Sequence, residues 1–164
     1  MPREEFRWLY SNKDFQVETI IEASRYFGSS KIATAIQLAK VATHSCIVAV
    51  CEYGLLPADQ INQQARLFDG EALPLPESKL HVVYAASSPS TKYQLARYTV
   101  IPEEHPIYDA YFKEMEIDEE SYIPFRSGKK MPCCLEALPH SNRIYAIFHL
   151  DSLPNSSQLE FALY

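Results

Sequence analysis

A nearly continuous apolar pattern runs through residues 30–53, SKIATAIQLAKVATHSCIVAVCEY. In the first half of this segment polar residues recur every three or four positions, and from Cys46 to Cys51 they disappear. On a helix, such spacing leaves one narrow polar stripe and apolar surface on all other sides. The pattern therefore predicts one long helix that is buried at the centre of a domain.

Residues at both ends of this segment favour a helix. Ser29 or Ser30 can accept a hydrogen bond from the free N–H groups of a first turn, and Gly54 can adopt the left-handed conformation that closes a helix. A membrane span is the rival interpretation, because the segment is long enough to cross a bilayer. Lys40 and His44 in its middle disfavour a span, so we expect no membrane insertion.

Two further helices are predicted in the first part of the chain. One covers residues 14–27 with Asp14 as its N-cap, and the other covers residues 58–68. The helical part of the chain thus spans residues 14–70. After a proline-rich connector, residues 80–86 form a β-branched, apolar run that is typical of a buried strand.

The remaining sequence mixes helix, strand and loop. Pro106 fits the first position of a helix, whereas residues 92–101 fit a helix and a strand equally well. Three prolines and a glycine in residues 117–142 predict a long loop. Every second residue is apolar from Ile144 to Leu150 and from Leu159 to Leu163, so each segment has an apolar strand face, and the turn-rich sequence between them predicts an antiparallel hairpin.

These elements predict a single α+β domain over residues 1–164. An N-terminal helical layer, built around the buried central helix, is followed by a small and mostly antiparallel sheet within residues 79–164. A length of 164 residues, with 47% hydrophobic and 22% charged residues, is ordinary for one globular domain.

Net charge and cysteine usage indicate which partners and which cellular compartment to expect. A net charge of −6 disfavours nucleic-acid binding, whose affinity comes from Lys and Arg on phosphates. The first ten residues, MPREEFRWLY, lack the apolar core of a secretion signal. Four cysteines without a disulfide-like spacing fit a reduced compartment, so we expect a cytoplasmic protein.

Two clusters contain residue types that bind metals. Zinc requires four N or S ligands, and neither cluster has the C-x₂-C or H-x₃-H spacing that supplies them. We therefore interpret the thiols as small hydrophobic residues and expect neither a metal nor another cofactor. The residues of the two clusters are His44, Cys46 and Cys51, and Cys133, Cys134 and His140.

A cysteine nucleophile is the alternative chemistry. Cys133 or Cys134 follows a proline that can begin a helix, and a helix N-terminus lowers a thiol pKa. His140 or His149 would then serve as the base, with Glu136 orienting it. A single Cys and a single His are common in any chain of this size, so this pattern alone is weak.

Residues 103–120 concentrate negative charge, with eight carboxylates against one lysine. Tyrosines lie in the same segment, and tyrosine beside carboxylates is typical of protein-binding surfaces, because the ring buries area while its hydroxyl tolerates water. A solvated helix face followed by an acidic loop is the other interpretation. The candidate partner-binding residues are Tyr108, Tyr111, Glu114, Glu116, Glu119 and Glu120.

The sequence thus favours a non-enzymatic protein–protein interaction module, such as an adaptor, a chaperone-like subunit or an inhibitor, with a basic protein partner. The alternative function is a small Cys/His-dependent enzyme that uses Cys133 or Cys134 with His140. Partner identity, substrate and oligomeric state are left open by these patterns.

Overall fold

A computed structural model describes residues 3–10, 15–69 and 75–151 of the chain. Its helices are α1 (Arg3–Tyr10), α2 (Val17–Phe27), α3 (Lys31–Val41), α4 (Pro57–Asp69) and α5 (Pro106–Phe112). Its strands are β1 (Cys46–Gly54), β2 (Lys79–Ser87), β3 (Ile117–Pro124), β4 (Lys130–His140) and β5 (Arg143–His149).

The described strands form one antiparallel sheet in the order β2-β1-β5-β4-β3. Helices α1, α2 and α3 cover one face of this sheet, and the core between them includes Phe6, Ile20 and Leu38. Helix α5 covers the other face, where Ile107 and Phe148 belong to a second core. The predicted α+β class, with helices first and an antiparallel sheet after them, is confirmed.

The prediction of one helix over residues 30–53 is wrong in its second half. Helix α3 ends at Val41, and residues 46–54 form strand β1. Alternate residues of β1 point into the two cores, with Ile47 on the α5 face and Val48 on the face of α1–α3. A strand that is buried on both faces has no polar positions to reveal its two-residue period.

Two of the predicted caps are confirmed, at the start of α3 and at the end of α2, whereas the prediction that Gly54 closes the central helix is wrong, because α3 is capped by Ala42 and Gly54 ends β1. Ser30 accepts a hydrogen bond of 3.2 Å from the Ala33 N–H at the start of α3. Gly28 ends α2 in the left-handed conformation, with a φ of 60°. The N-cap of α2 is Gln16, and the predicted cap Asp14 lies outside the described residues.

The predicted loop over residues 117–142 is also wrong, because most of it forms β3 and β4. Pro132 pairs with Tyr122 of β3 but lies past the end of β5, and Pro139 pairs with Ile144 of β5 but lies past the start of β3. Each proline therefore sits where β4 has a neighbour on one side only. A missing N–H costs no ladder hydrogen bond at such a position.

The sheet does end in a hairpin, which β4 and β5 form through a two-residue turn. Ser141 and Asn142 both have positive φ values, 52° and 61°, as a type I′ turn requires. The predicted partner strand of residues 143–150, at residues 158–164, lies outside the described part of the chain. Residues 92–101 form neither a helix nor a strand, apart from one bridge between Val100 and His81.

No helix within residues 3–10, 15–69 and 75–151 combines the length and the apolar character that crossing a bilayer requires.

We expect Leu38→Ala to lower the free energy of unfolding by roughly 2–5 kcal/mol, because it opens a cavity between α3 and the sheet. Leu38 is fully buried, whereas Lys40 on the same helix is exposed. Lys40→Ala should change stability by less than about 0.5 kcal/mol. Urea unfolding followed by circular dichroism measures both, and equal midpoints for the two variants would contradict the placement of α3.

Candidate functional site

The three residues of the predicted enzyme site all lie on β4, but the strand separates them. Because side chains alternate along a strand, Cys133 points to the α5 face, while Cys134 and His140 point to the face of α1–α3. Cys134 and His140 are six positions apart, which is about 20 Å along a strand. The structure does not bring either thiol to His140.

Burial controls the chemistry of three of the four thiols. It raises the pKa of Cys46, Cys51 and Cys133 to about 12 each. Neutral thiols of this kind are poor nucleophiles, because the thiolate is the reactive form. Cys134 is the partly exposed thiol of the set.

His149 lies in a row of side chains that crosses three strands. It is paired with Cys46 on β1 and with Cys134 on β4, so all three side chains point to the same face. The two cysteines are two strand spacings apart, roughly 10 Å, which is too far for a disulfide. The structure therefore does bring the second candidate base next to Cys134.

Both ring nitrogens of His149 are already hydrogen-bonded. Its Nε2 lies 2.6 Å from a carboxylate oxygen of Glu136, and its Nδ1 lies 3.1 Å from Nε2 of His44. A carboxylate can only accept, so neutral His149 donates from Nε2 and accepts at Nδ1 from the His44 N–H. No ring nitrogen is left to take a proton from Cys134. The arrangement instead ties the turn before β1 to strands β4 and β5.

The predicted binding tyrosines belong to a cluster of four aromatic rings. Tyr108 and Tyr111 are half-buried against the core under α5. Tyr111 stacks on Tyr53 with 5.5 Å between ring centroids, and Tyr108 stacks on Phe112 at the same separation. Phe112 also contacts Tyr53 edge-on at 5.4 Å. The cluster thus joins α5 to the end of β1.

The exposed members of this cluster differ from the residues that the sequence analysis selected. Phe112 is 57% exposed, Tyr53 is 41% exposed, and the nearby Met115 is 43% exposed. Phe112 and Met115 lie in the same acidic segment, so their apolar side chains could have been recognised in the sequence as candidates for partner binding. Tyr53 could not, because only the folded sheet brings it close to α5.

The predicted carboxylates are all exposed, and they follow α5 in the chain. Glu114 and Glu116 belong to the connection between α5 and β3, and Glu119 and Glu120 belong to β3 itself. We name these four carboxylates, together with Tyr53, Tyr108, Tyr111, Phe112 and Met115, the acidic aromatic surface.

A cleft of about 590 Å³ lies between the start of α4 and residues 98–100 and 125–128, and Arg126 is among its lining residues. The Arg97 guanidinium lies 4.9 Å from the ring centroids of both Tyr84 and Tyr98. Arg126 donates a hydrogen bond of 2.8 Å to the Arg97 carbonyl.

Comparison with known proteins finds two radiation response metalloproteases, both named IrrE. The protein of Deinococcus radiodurans is 38% identical over 105 residues, which is 64% of this chain and 30% of the relative. The protein of Deinococcus deserti is 35% identical over 72 residues, which is 44% of this chain and 26% of the relative. This chain thus spans less than a third of the length of the curated relatives that it matches. No family model matches the chain.

The metal that the relatives' name implies does not fit the residues that the structure describes. A common zinc-protease motif is H-E-x-x-H on a helix, and none of the five histidines is followed by glutamate. Across the described ranges, no three His, Cys, Asp or Glu side chains are arranged to hold a metal ion.

We expect the purified protein to contain no stoichiometric zinc and a chelator to leave its melting temperature unchanged. A structural zinc site would contribute to folding directly, so its removal would lower the melting temperature. Elemental analysis and thermal unfolding with and without the chelator test this. One equivalent of bound zinc would contradict the prediction.

We expect iodoacetamide to modify only Cys134 in the folded protein near neutral pH. A pKa raised from 9.0 to about 12 leaves each buried thiol with about a thousandfold less thiolate. Mass spectrometry of peptides before and after unfolding in urea identifies the modified residues. Modification of Cys133 as fast as Cys134 in the folded protein would contradict the burial of β4.

Proposed function

We propose that this chain is a regulatory module that binds a basic segment of another protein through the acidic aromatic surface. The observation that carries the proposal is the stacked cluster of Tyr53, Tyr108, Tyr111 and Phe112 beside the most acidic segment of the chain. Aromatic residues are enriched in the cores of protein interfaces, and polar groups surround them at the rim.

The aromatic rings are suited to anchor a partner. Phe112 is the most exposed ring of the cluster, and the half-buried Tyr108 and Tyr111 support it from below. A ring that is held by its neighbours loses little conformational entropy on binding, and such rings are frequent among the residues that dominate binding energy.

The carboxylates are suited to attract a basic partner. Lys113, the one cation of the segment, lies 3.1 Å from Asp109 and so neutralises that carboxylate. Glu114, Glu116, Glu119 and Glu120 remain exposed. Surface charges of one sign mainly accelerate the encounter with an oppositely charged protein, and salt screens the effect.

The relatives support a regulatory role for this chain. Both are radiation response proteins, and this chain matches 30% or less of each. Because the chain lacks an H-E-x-x-H motif, we assign binding rather than peptide-bond hydrolysis to it.

The experiment measures association and dissociation rates with a partner captured from the native host and identified by mass spectrometry. We expect Glu116→Lys, Glu119→Lys and Glu120→Lys together to slow association at least about tenfold at low salt and to flatten its salt dependence. Phe112→Ala should mainly speed dissociation, by about tenfold or more, because it removes a ring that the bound partner would bury.

Two control variants carry the same types of substitution at exposed positions outside the acidic aromatic surface. Glu4→Lys, Glu5→Lys and Glu77→Lys alter the net charge equally at other exposed positions, and Tyr26→Ala removes a ring that is 68% exposed on α2. Surface plasmon resonance at two salt concentrations measures all four. If the variants and their controls behave alike, the acidic aromatic surface is not the binding site.

A further inference from the structure

The outer edge of β3 is an unpaired sheet edge in the described part of the chain. β3 is the last strand of the sheet, and no described strand pairs with its outer side. The opposite edge strand, β2, is bonded at residues 80–82 to residues 98–101. There the Val82 N–H donates 2.9 Å to the Thr99 carbonyl, and the Ile101 N–H donates 2.9 Å to the Leu80 carbonyl. Part of one edge is thus paired within the chain, whereas no described residue pairs with the outer backbone groups of Asp118 and Glu120.

The turn between β4 and β5 determines which backbone groups of β4 point to each neighbour. In a two-residue hairpin the residues that flank the turn, here His140 and Arg143, form a hydrogen-bonded pair. Backbone groups alternate in direction along a strand. Even-numbered residues of β4 therefore bond to β5, and odd-numbered residues bond to β3.

The same alternation assigns the groups of β3. Leu135 is paired with Glu119, so the backbone groups of Glu119 point to β4. Its neighbours Asp118 and Glu120 must then point their N–H and C=O groups outward. An independent contact agrees with this assignment, because the Tyr122 carbonyl accepts a hydrogen bond of 2.8 Å from Nε2 of His105, which lies outside the sheet.

These contacts also limit the length of the open edge. The Tyr122 carbonyl is used by His105, and the Lys130 ammonium lies 4.9 Å from the Tyr122 ring centroid. Negative charge therefore ends near Ser121. The open acidic part covers residues 117–121, which is roughly 16 Å of strand.

The charges of β3 determine which kind of strand can pair with its outer edge. Asp118 and Glu120 lie on the face of α1–α3, Glu119 lies on the α5 face, and all three are exposed. Like charges on directly opposed strands are destabilising, so a second copy of β3 is disfavoured, whereas opposite charges on such a pair are favourable. The geometry points to β-strand addition, in which an extended Lys/Arg-rich segment of the partner hydrogen-bonds to the outer edge of β3.

This inference rests on the proposed function and specifies how the basic partner is held. Main-chain hydrogen bonds to Asp118 and Glu120 supply affinity, and alternate side chains of the partner supply specificity. A segment with a basic residue at every second position places all its cations on one face. That face matches the side of the sheet where Asp118 and Glu120 lie.

The test uses a synthetic ten-residue peptide of alternating lysine and threonine as the probe, with the full chain. We expect hydrogen exchange at the Asp118 and Glu120 amides to slow about tenfold or more when the peptide is bound, because both N–H groups become donors. The Glu119 amide, already bonded to β4, should change little. Nuclear magnetic resonance of the ¹⁵N-labelled protein measures the three amides separately.

The control is the same peptide with methylated backbone nitrogens, which keeps every charge but loses every backbone donor. We expect it to bind at least about tenfold more weakly. Equal binding of the two peptides, or no added protection at Asp118 and Glu120, would overturn strand addition. Protection of both amides before peptide is added would also overturn it, because a second copy or another part of the chain would then occupy the edge. Failure of the proposed function is a separate result, seen as unchanged partner kinetics in the Glu116, Glu119 and Glu120 variant.

Discussion

The burial of β1 on both faces is the constraint on which the rest of this structure depends. Ile47 and Ala49 lie in the core under α5, while Val48 and Val50 lie in the core under α1–α3. Burying one such side chain contributes about 1.5–3 kcal/mol, so neither face of the sheet can be left to water. The helices before β1 and the α5 segment are therefore both needed to cover it. A three-layer arrangement is the consequence of one strand whose two faces are apolar.

Burial on both faces also determines which helices and strands can be predicted from the sequence. Helices α2 and α4 are amphipathic and β2 is bounded by polar turns, so local pattern locates them closely. β1 carries no alternation because both its faces are buried, and it therefore looks like a continuation of α3. β4 contains Pro132 and Pro139, whose tolerance depends on how far the neighbouring strands extend. No local rule contains that information.

The candidate sites show a similar division. The residue types of both sites are visible in the sequence, but their grouping depends on strand register. Pairing places His149 rather than His140 beside Cys134, and the bonds from His149 to Glu136 and His44 occupy both its nitrogens. Buried polar groups of this kind are stabilising only when each has a partner. The geometry therefore favours a structural role for this imidazole over general-base catalysis.

With both faces of the sheet covered by helices, the backbone groups of the sheet are accessible only at its edges. An open edge is a hazard, because its free N–H and C=O groups can pair with any extended chain. Asp118, Glu119 and Glu120 place carboxylates on both sides of the backbone there, so a second acidic edge would bring like charges together. The repulsion that prevents self-pairing is also the attraction that a basic strand would meet. In the strand addition that we propose, one charge distribution disfavours pairing with a second copy and favours a basic partner, which links the acidity of residues 103–120 to the position of β3 at the end of the sheet.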